Sequence, residues 1–461
     1  ANRMEQEGIL QQGEADTRLQ ENLKSLQEAN DQLDVKASLV EPLPKPPPRG
    51  AAQKVKTAVT LKRLKELNKA LLEFPEGFVL NSKLVKAVER RSTLLDNPEN
   101  AKIDWATAEE LALATILEDG TPIRLTGQDS IRGTFSQRHA VFYEANTNRG
   151  HTPLQTIPQA RASFEVLNSP LSEAAAIGFE FGYNVMAPER LVIWEAQYGD
   201  FINNAQSVID EFLLSGRAKW GLTPSMVLLL PHGNEGQGPD HSSGRIERFL
   251  GLAAEINVRV VYPSTAAQYF HLLRRQALLL KTDPLPMIIF TPKGLLRHPL
   301  TASSPQDFTA GGWQRVIDDQ SLPGKREDVK NLTLCSGRIY VDLVTSDLRK
   351  ENPDDAIVRV EQLYPFPKKE LEEILVGYPN LERVIWVQEE PLNMGAWNYL
   401  RPHLRLLVED RLTLHYVGRP ESSSPAEGST TLYRINQQSL IEQAFDFDKQ
   451  AQTTSVVKER G

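Results

Sequence analysis

The sequence has a single cysteine, Cys335, among 461 residues. A disulfide within the chain is therefore excluded, which fits a reducing compartment. Long apolar runs are missing as well. None approaches the roughly 20 residues that a membrane helix needs, so no membrane partner is expected. An excess of positive charge is also absent. The formal net charge is −8, which argues against general nucleic-acid binding on electrostatic grounds. The first residues, ANRMEQEGIL, contain neither an initiator Met nor a signal-peptide core. They read like the middle of a longer sequence.

What is present is globular in composition, with 40% hydrophobic and 24% charged residues. The length suggests two or three domains. Residues 1–54 read as a helical segment followed by a linker. Leu19, Leu23, Leu26 and Leu33 give one thin apolar stripe, and Glu41–Pro48 is too proline-rich for anything but an extended linker. Residues 55–103 read as a helical connector, with Leu61, Leu64, Leu67 and Leu71 on one face. At 104–300 short apolar runs alternate with helical ones. The strands fall at Ile123–Thr126, Phe164–Leu167, Leu191–Glu195, Met226–Leu230, Val258–Tyr262 and Met287–Phe290. Asp104 caps a helix that runs to Gly120. Further helices start near Ser172, Phe201, Ser243 and Ala266. Residues 301–330 read as a linker. A second series at 331–448 has strands at Leu332–Cys335, Ile357–Val360, Val384–Gln388 and Leu412–Tyr416. The tail, 449–461, is polar. This alternation predicts an α/β protein with two successive, mostly parallel sheets covered on both faces. Cys335, in the apolar run Asn331–Gly337, reads as a buried strand residue.

In such sheets ligands gather outside the carboxyl ends of the strands. Four strand-end loops are rich in Gly, His, Glu and aromatics: Gly127–His139, Asn168–Glu173, Glu195–Phe201 and Pro231–Ser243. The last reads PHGNEGQGPDHSS and holds two of the eight histidines, His232 and His241. Its glycines match neither a Walker A nor a dinucleotide fingerprint. Its histidines are nine apart and no acid or cysteine cluster completes a zinc site, so no metal ligand is assigned. Taken singly, each loop also has an ordinary reading. Glu173 suits the positive end of a helix, and Phe201 suits a packing position.

Several stretches closely resemble one family: RLTGQDSIRGTFSQRHAVFYE, NSPLSEAAAIGFEFGYNV, VIWEAQYGDFINNAQ and LPHGNEGQGPDHSSGRIERFL, with RVEQLYPFP (359–367) and VIWVQEEPLNMGAWNY (384–399) after them. The resemblance, over residues 55–448, is to the carboxyl-terminal half of the decarboxylating subunit of 2-oxoglutarate dehydrogenase, a thiamine-diphosphate enzyme of the transketolase superfamily. It implies a pyrimidine-binding domain followed by a transketolase-type C-terminal domain. It implies that Glu173 hydrogen-bonds the aminopyrimidine ring nitrogen as a buried carboxylic acid, whose pKa burial would raise. It places Phe201 under the pyrimidine ring, with Tyr198 as the nearby competitor. His241 would lie near the reacting carbonyl and the substrate carboxylates, and His232 on the same loop would assist catalysis. Gln137 and His139 match an active-site loop.

One departure limits this picture. The family holds the cofactor's diphosphate through magnesium in a domain marked by Gly-Asp-Gly and a distant Asn. Here the only Gly-Asp pair is Gly199-Asp200. The diphosphate half, and with it magnesium, is expected from elsewhere. The chain is expected to be a C-terminal fragment or one partner of a split enzyme, inactive alone. It would act as a homodimer or as the complement of a diphosphate-domain chain. A lipoyl-bearing succinyltransferase is the implied partner and 2-oxoglutarate the implied substrate. The bacterial cytoplasm is the preferred compartment, with the mitochondrial matrix as alternative. Two other readings stay open: a related 2-oxo acid such as 2-oxoadipate, and a non-catalytic assembly module.

Overall fold

The structure is a computed structural model, described here for residues 2–34, 52, 55–322, 324–409 and 411–446. The proline-rich linker and the tail read from the sequence lie outside the described residues. Residues 2–34 belong to a compact unit of their own. Its long helix, Glu14–Asp31, buries no side chain, and Leu19, Leu23 and Leu26 are exposed. The thin stripe is too narrow to make a core by itself.

The second unit holds both α/β series. Its strands in chain order are β1 (Ile123–Gly127), β2 (Phe142–Tyr143), β3 (Gly150–His151), β4 (Phe164–Asn168), β5 (Leu191–Glu195), β6 (Val227–Pro231), β7 (Arg259–Val261), β8 (Met287–Thr291), β9 (Val316–Ile317), β10 (Asn331–Cys335), β11 (Ala356–Val360), β12 (Gln362–Tyr364), β13 (Arg383–Pro391) and β14 (Thr413–Arg419). The first sheet has the order β12-β7-β8-β6-β5-β1-β4 and the second β14-β13-β10-β11-β9; β2 and β3 pair alone. Both large sheets are parallel except at one edge each, where β12 and β9 run antiparallel to their neighbours.

Every residue of β1, β5, β6 and β8 is buried. Successive side chains serve different cores, as the two-residue period of a strand requires. Val192 and Trp194 of β5 and Leu228 and Leu230 of β6 face a core shared with the second sheet through Leu332, Val358 and Trp386. Leu191, Ile193, Val227 and Leu229 face the other way, onto the helices Leu61–Ala70, Trp105–Glu118 and Ala266–Leu279. The last two of these helices are buried nearly all round, and Trp105 stacks on Tyr269 with centroids 4.5 Å apart. Asp104 caps the first of them, accepting the Thr107 N–H at 2.9 Å. Cys335 is fully buried on β10, which lifts its thiol pKa to about 12.

Two departures from the sequence reading matter for the site. Residues 301–330 are not merely a connection: they contain the helix Pro305–Thr309 and the edge strand β9. The helix expected near Ser243 begins only at Ile246. The Ser242 and Ser243 N–H groups are taken by Asp200 Oδ1, and Arg245 holds a left-handed φ of 59°.

Candidate active site

The chain leaving β1 runs to β4, whereas that leaving β5 runs to β6 on the opposite side. The carboxyl ends of β1 and β5 therefore flank the topological switch point of the first sheet, where a crevice opens. Gly127 and Glu195 are paired there in register. A side chain at position 127 would meet the Glu195 carbonyl at 2.3 Å, and φ is +159°, so glycine is required.

Behind the crevice lies a buried ion cluster. Arg138 makes paired hydrogen bonds to Glu195, both at 2.7 Å, and to Glu109 at 2.5 and 3.0 Å. Tyr269 Oη donates to Glu109 at 2.7 Å. Burial lifts the Glu195 pKa despite the charge of Arg138. The cluster fixes the loop that carries Gln137 and His139 on either side of Arg138. Gln137 Nε2 stands 3.5 Å from Glu195 Oε1, and its Oε1 accepts the Phe135 N–H at 3.0 Å. His139 is half-buried at φ 47°. Burial, with the charges of Arg132 and Arg297, lowers its pKa and favours the neutral ring.

Three of the residues singled out in the sequence come together above β5. The rings of Tyr198 and His241 are 4.2 Å apart, those of Tyr198 and Phe201 5.9 Å, and those of Phe201 and His241 6.0 Å. Phe135 closes on Tyr198 at 5.7 Å. None of these ring contacts involves His139. Phe201 and Tyr198 are carried by a 3-10 turn, Gly199–Ala205, and its flank. Asp200 pins that turn to the His241 loop through the Ser242 and Ser243 N–H groups, at 3.2 and 2.9 Å, while its buried Oδ2 has no hydrogen-bond partner among the described residues.

Glu173 is the first residue of the helix Glu173–Met186. Its Oε2 accepts from Asn204 Nδ2 at 3.1 Å, which sets it against the turn that carries Phe201. It is half-buried rather than buried as expected. Leu171 and Ser172 before it are exposed.

His232 requires a correction. Its ring is buried beneath the loop, not turned toward the aromatic cluster. Nδ1 accepts the Gly244 N–H at 2.9 Å, and Nε2 meets Glu390 Oε1 at 2.7 Å. Both ring nitrogens are thus used inside the protein, which leaves neither for a ligand. Burial opposes a charged ring, but the hydrogen bond and charge of Glu390, with Glu389 behind, outweigh it and raise the pKa.

Several supporting residues were not singled out in the sequence: Arg138, Glu195, Asp200, Lys293, Glu389 and Glu390. Lys293 is buried, which lowers its pKa. It donates to the carbonyls of Gly233, at 2.8 Å, and His241, and to Gln237 Oε1 at 2.9 Å. One signal was available. Gln388-Glu389-Glu390 follows the apolar run Val384-Ile385-Trp386-Val387, and polar residues buried in a strand need partners.

Residues 101–299 match the model for the transketolase pyrimidine-binding domain, and residues 302–445 that for the 2-oxoglutarate dehydrogenase C-terminal domain. Over these two stretches the chain is similar to the carboxyl-terminal part of 2-oxoglutarate dehydrogenase E1 components. It is 52% identical over 404 residues to the E1 component of Geobacillus sp. (strain WCH70), covering 87% of this chain and 42% of that protein. With the E1 component of Bacillus mycoides (strain KBAB4) it shares 47% identity over 455 residues, 97% of this chain and 47% of the relative. The chain thus spans less than half the length of these curated relatives.

A transketolase-type pyrimidine-binding domain implies thiamine diphosphate. The residues present suit its aminopyrimidine end. A half-buried carboxylate, Glu173, and an aromatic cluster flank one switch-point crevice, and the buried Asp200 Oδ2 beside them has no hydrogen-bond partner among the described residues. Among the described residues no group of three or more His, Cys, Asp or Glu is placed to hold a metal. Nor is any helix of the described residues long and apolar enough to cross a membrane.

Proposed function

We propose that this chain supplies the pyrimidine-side half of a thiamine-diphosphate site for oxidative decarboxylation of 2-oxoglutarate. The succinyl group would pass to a lipoyl group on a partner succinyltransferase. The observation that carries this reading is the meeting of Glu173 and the Tyr198–Phe201–His241 rings at the β1–β5 switch point. When bound, thiamine supplies an electron sink for the loss of carbon dioxide. Glu173 holds a proton against the pyrimidine ring nitrogen. Its half-buried position in this chain fits a site completed by another domain. Phe201 or Tyr198 offers a ring face to the pyrimidine. His241, carried on a loop held by Lys293 and Asp200, faces the substrate side as a hydrogen-bond donor. The diphosphate and its magnesium would be held by the half that this chain does not contain, in a homodimer or a complementing chain.

The test joins this chain to a diphosphate-binding half, as in full-length relatives, and follows decarboxylation of 2-oxoglutarate. Glu173→Ala is expected to lower kcat about 10²–10⁴-fold, the usual size of a general acid–base contribution. Wild-type turnover by that variant would sink the assignment. Faster turnover of 2-oxoadipate than of 2-oxoglutarate would change the substrate and keep the site.

A further inference from the structure

The end of β13 is chemically unusual. Gln388, Glu389 and Glu390 are all buried, directly after Val384-Ile385-Trp386-Val387. In a regular strand Glu389 and Glu390 would point to opposite faces. Here the register between β13 and β14 shifts between Val387 and Pro391, and such irregularities re-aim side chains. Both carboxylates reach the same loop of the first sheet. Glu390 Oε1 meets His232 Nε2 at 2.7 Å, and Glu389 Oε1 accepts the Asn234 N–H. Gln388 turns away and accepts from Trp386 Nε1 and the Trp397 N–H, each at 3.0 Å.

The imidazole between these groups has one consistent protonation pattern. Gly244 N–H donates to Nδ1, so Nδ1 must present a lone pair. The ring proton then sits on Nε2, where Glu390 accepts it. A carboxylate on one ring nitrogen is what fixes the tautomer at the other. The consequence is mechanical. His232 opens the loop and Gly244 follows its end, so the ring ties the two ends together. Gly233 N–H adds a bond to the Ser242 carbonyl at 3.0 Å. His241 stands immediately before that join. If the seat were only packing, an apolar side chain would fill it at lower cost than two adjacent buried carboxylates.

We propose that Glu390, at the carboxyl end of β13, is a positioning residue for His241: it fixes the tautomer of His232, and His232 closes the loop that presents His241. The inference rests on the reading above only for what His241 does, not for where it is held.

The test uses this chain with ring-labelled histidine. The His241 ring protons lie 4.2 Å edge-to-face from Tyr198 in centroid terms, so their chemical shifts report the loop's seating through the ring current. Glu390→Ala is expected to move the His241 signals toward free-imidazole values. Glu390→Gln keeps an oxygen acceptor for Nε2–H and is expected to leave them in place. Leu440→Ala, a core truncation in the helix Thr430–Phe445, controls for general destabilisation and is expected to leave them unmoved. A folded Glu390→Ala with unshifted His241 signals overturns the proposal, and so does a Glu390→Gln that shifts them as far as Ala. If Glu390→Ala does not fold, Glu390→Asp decides. One methylene shorter, it should shift His241 part of the way, and no shift overturns the proposal. With the diphosphate half joined, Glu390→Ala should lower kcat about tenfold to a hundredfold through misplacement, and Glu390→Gln should restore it. Shifted His241 signals with unchanged turnover would uphold the positioning and sink instead the assignment of His241 to the ligand.

Discussion

The ring of His241 meets the ring of Tyr198 edge to face, with centroids 4.2 Å apart. This pair joins the aromatic turn after β5 to the glycine-rich loop after β6. It gives the loop a fixed reference inside the crevice.

Removing that reference should loosen the histidine. An aromatic pair of this kind contributes about 1 kcal/mol, so its loss corresponds to about a fivefold change in exposure. Tyr198→Leu is expected to raise the rate at which diethylpyrocarbonate modifies His241 by about that factor, read by peptide mass spectrometry. Tyr198→Phe should leave the rate near wild type, because the ring is kept. Equal rates in all three proteins would mean that Tyr198 does not hold the ring.

Gly199 tests how tightly the two loops are pressed together. A Cβ there would lie 2.6 Å from the Pro231 carbonyl oxygen and 2.8 Å from Gly244 Cα. Both are backbone atoms and neither can swing aside. Gly199→Ala should cost about 1–3 kcal/mol in urea unfolding, as overpacking does. Gly178, mid-helix, has nothing within 4 Å of its Cβ position. Gly178→Ala should therefore stabilise by about 0.5–1 kcal/mol.

Arg138 is shared by two buried carboxylates, Glu109 and Glu195. Arg138→Met leaves both without a cation and should destabilise by about 3–5 kcal/mol at neutral pH. Acid should relieve the loss. Burial already lifts the Glu195 pKa, and without the guanidinium it rises further, so the variant's Glu195 takes up a proton before the wild type's does. The gap in thermal midpoint should narrow from pH 7 to pH 5. A gap that widens on acidification would contradict the ion-cluster reading.

Glu389 predicts a slope of stability with pH. Burial, with the charge of Glu390 next, raises its pKa from 4.5 to about 7. Between those values the folded state keeps a proton that the unfolded state releases, so stability falls as pH rises. Above about 7 both states are ionised and the loss is complete. Glu389→Gln removes this slope. The variant's advantage over wild type should grow from pH 5 to pH 7 and then level off, with His232 and Glu390 common to both proteins. An advantage that shrinks over that range would reverse the sign and refute the assignment.

Much of the framework was legible because it rests on local chemistry. Runs such as Leu191–Glu195 and Met287–Phe290 are apolar, β-rich and bounded by turn residues, and both are strands of the first sheet. Asp104 is a cap because its carboxylate is in reach of an N–H three residues on. The strands β9 and β12 were not legible. They are two and three residues long, too short for any period, and their partners are distant in sequence. The site divides in the same way. The carboxyl ends of the strands mark the loops in the sequence, whereas Tyr198, Phe201 and His241 are picked out within them only by the family resemblance. Which way a histidine points is given by neither. The resemblance favours His241 over His232 in PHGNEGQGPDHSS, but it does not show that the His232 ring is buried against the Glu390 carboxylate, 158 positions away.

The pairing of β12 with β7 bears on how the molecule can be divided. Gln362 and Tyr364 lie beside Val261 and Val260, so a strand from beyond residue 360 completes the edge of the sheet built from residues 123–291. Cutting the chain near residue 300 would strip that edge of its partner. It would also expose Val260 and Val261 as a short apolar strand open to pairing with other molecules. A fragment ending there is expected to be poorly soluble. Chimeras between relatives should therefore exchange residues 55–446 as one piece, because the helix Leu61–Ala70 shares a core with the first sheet.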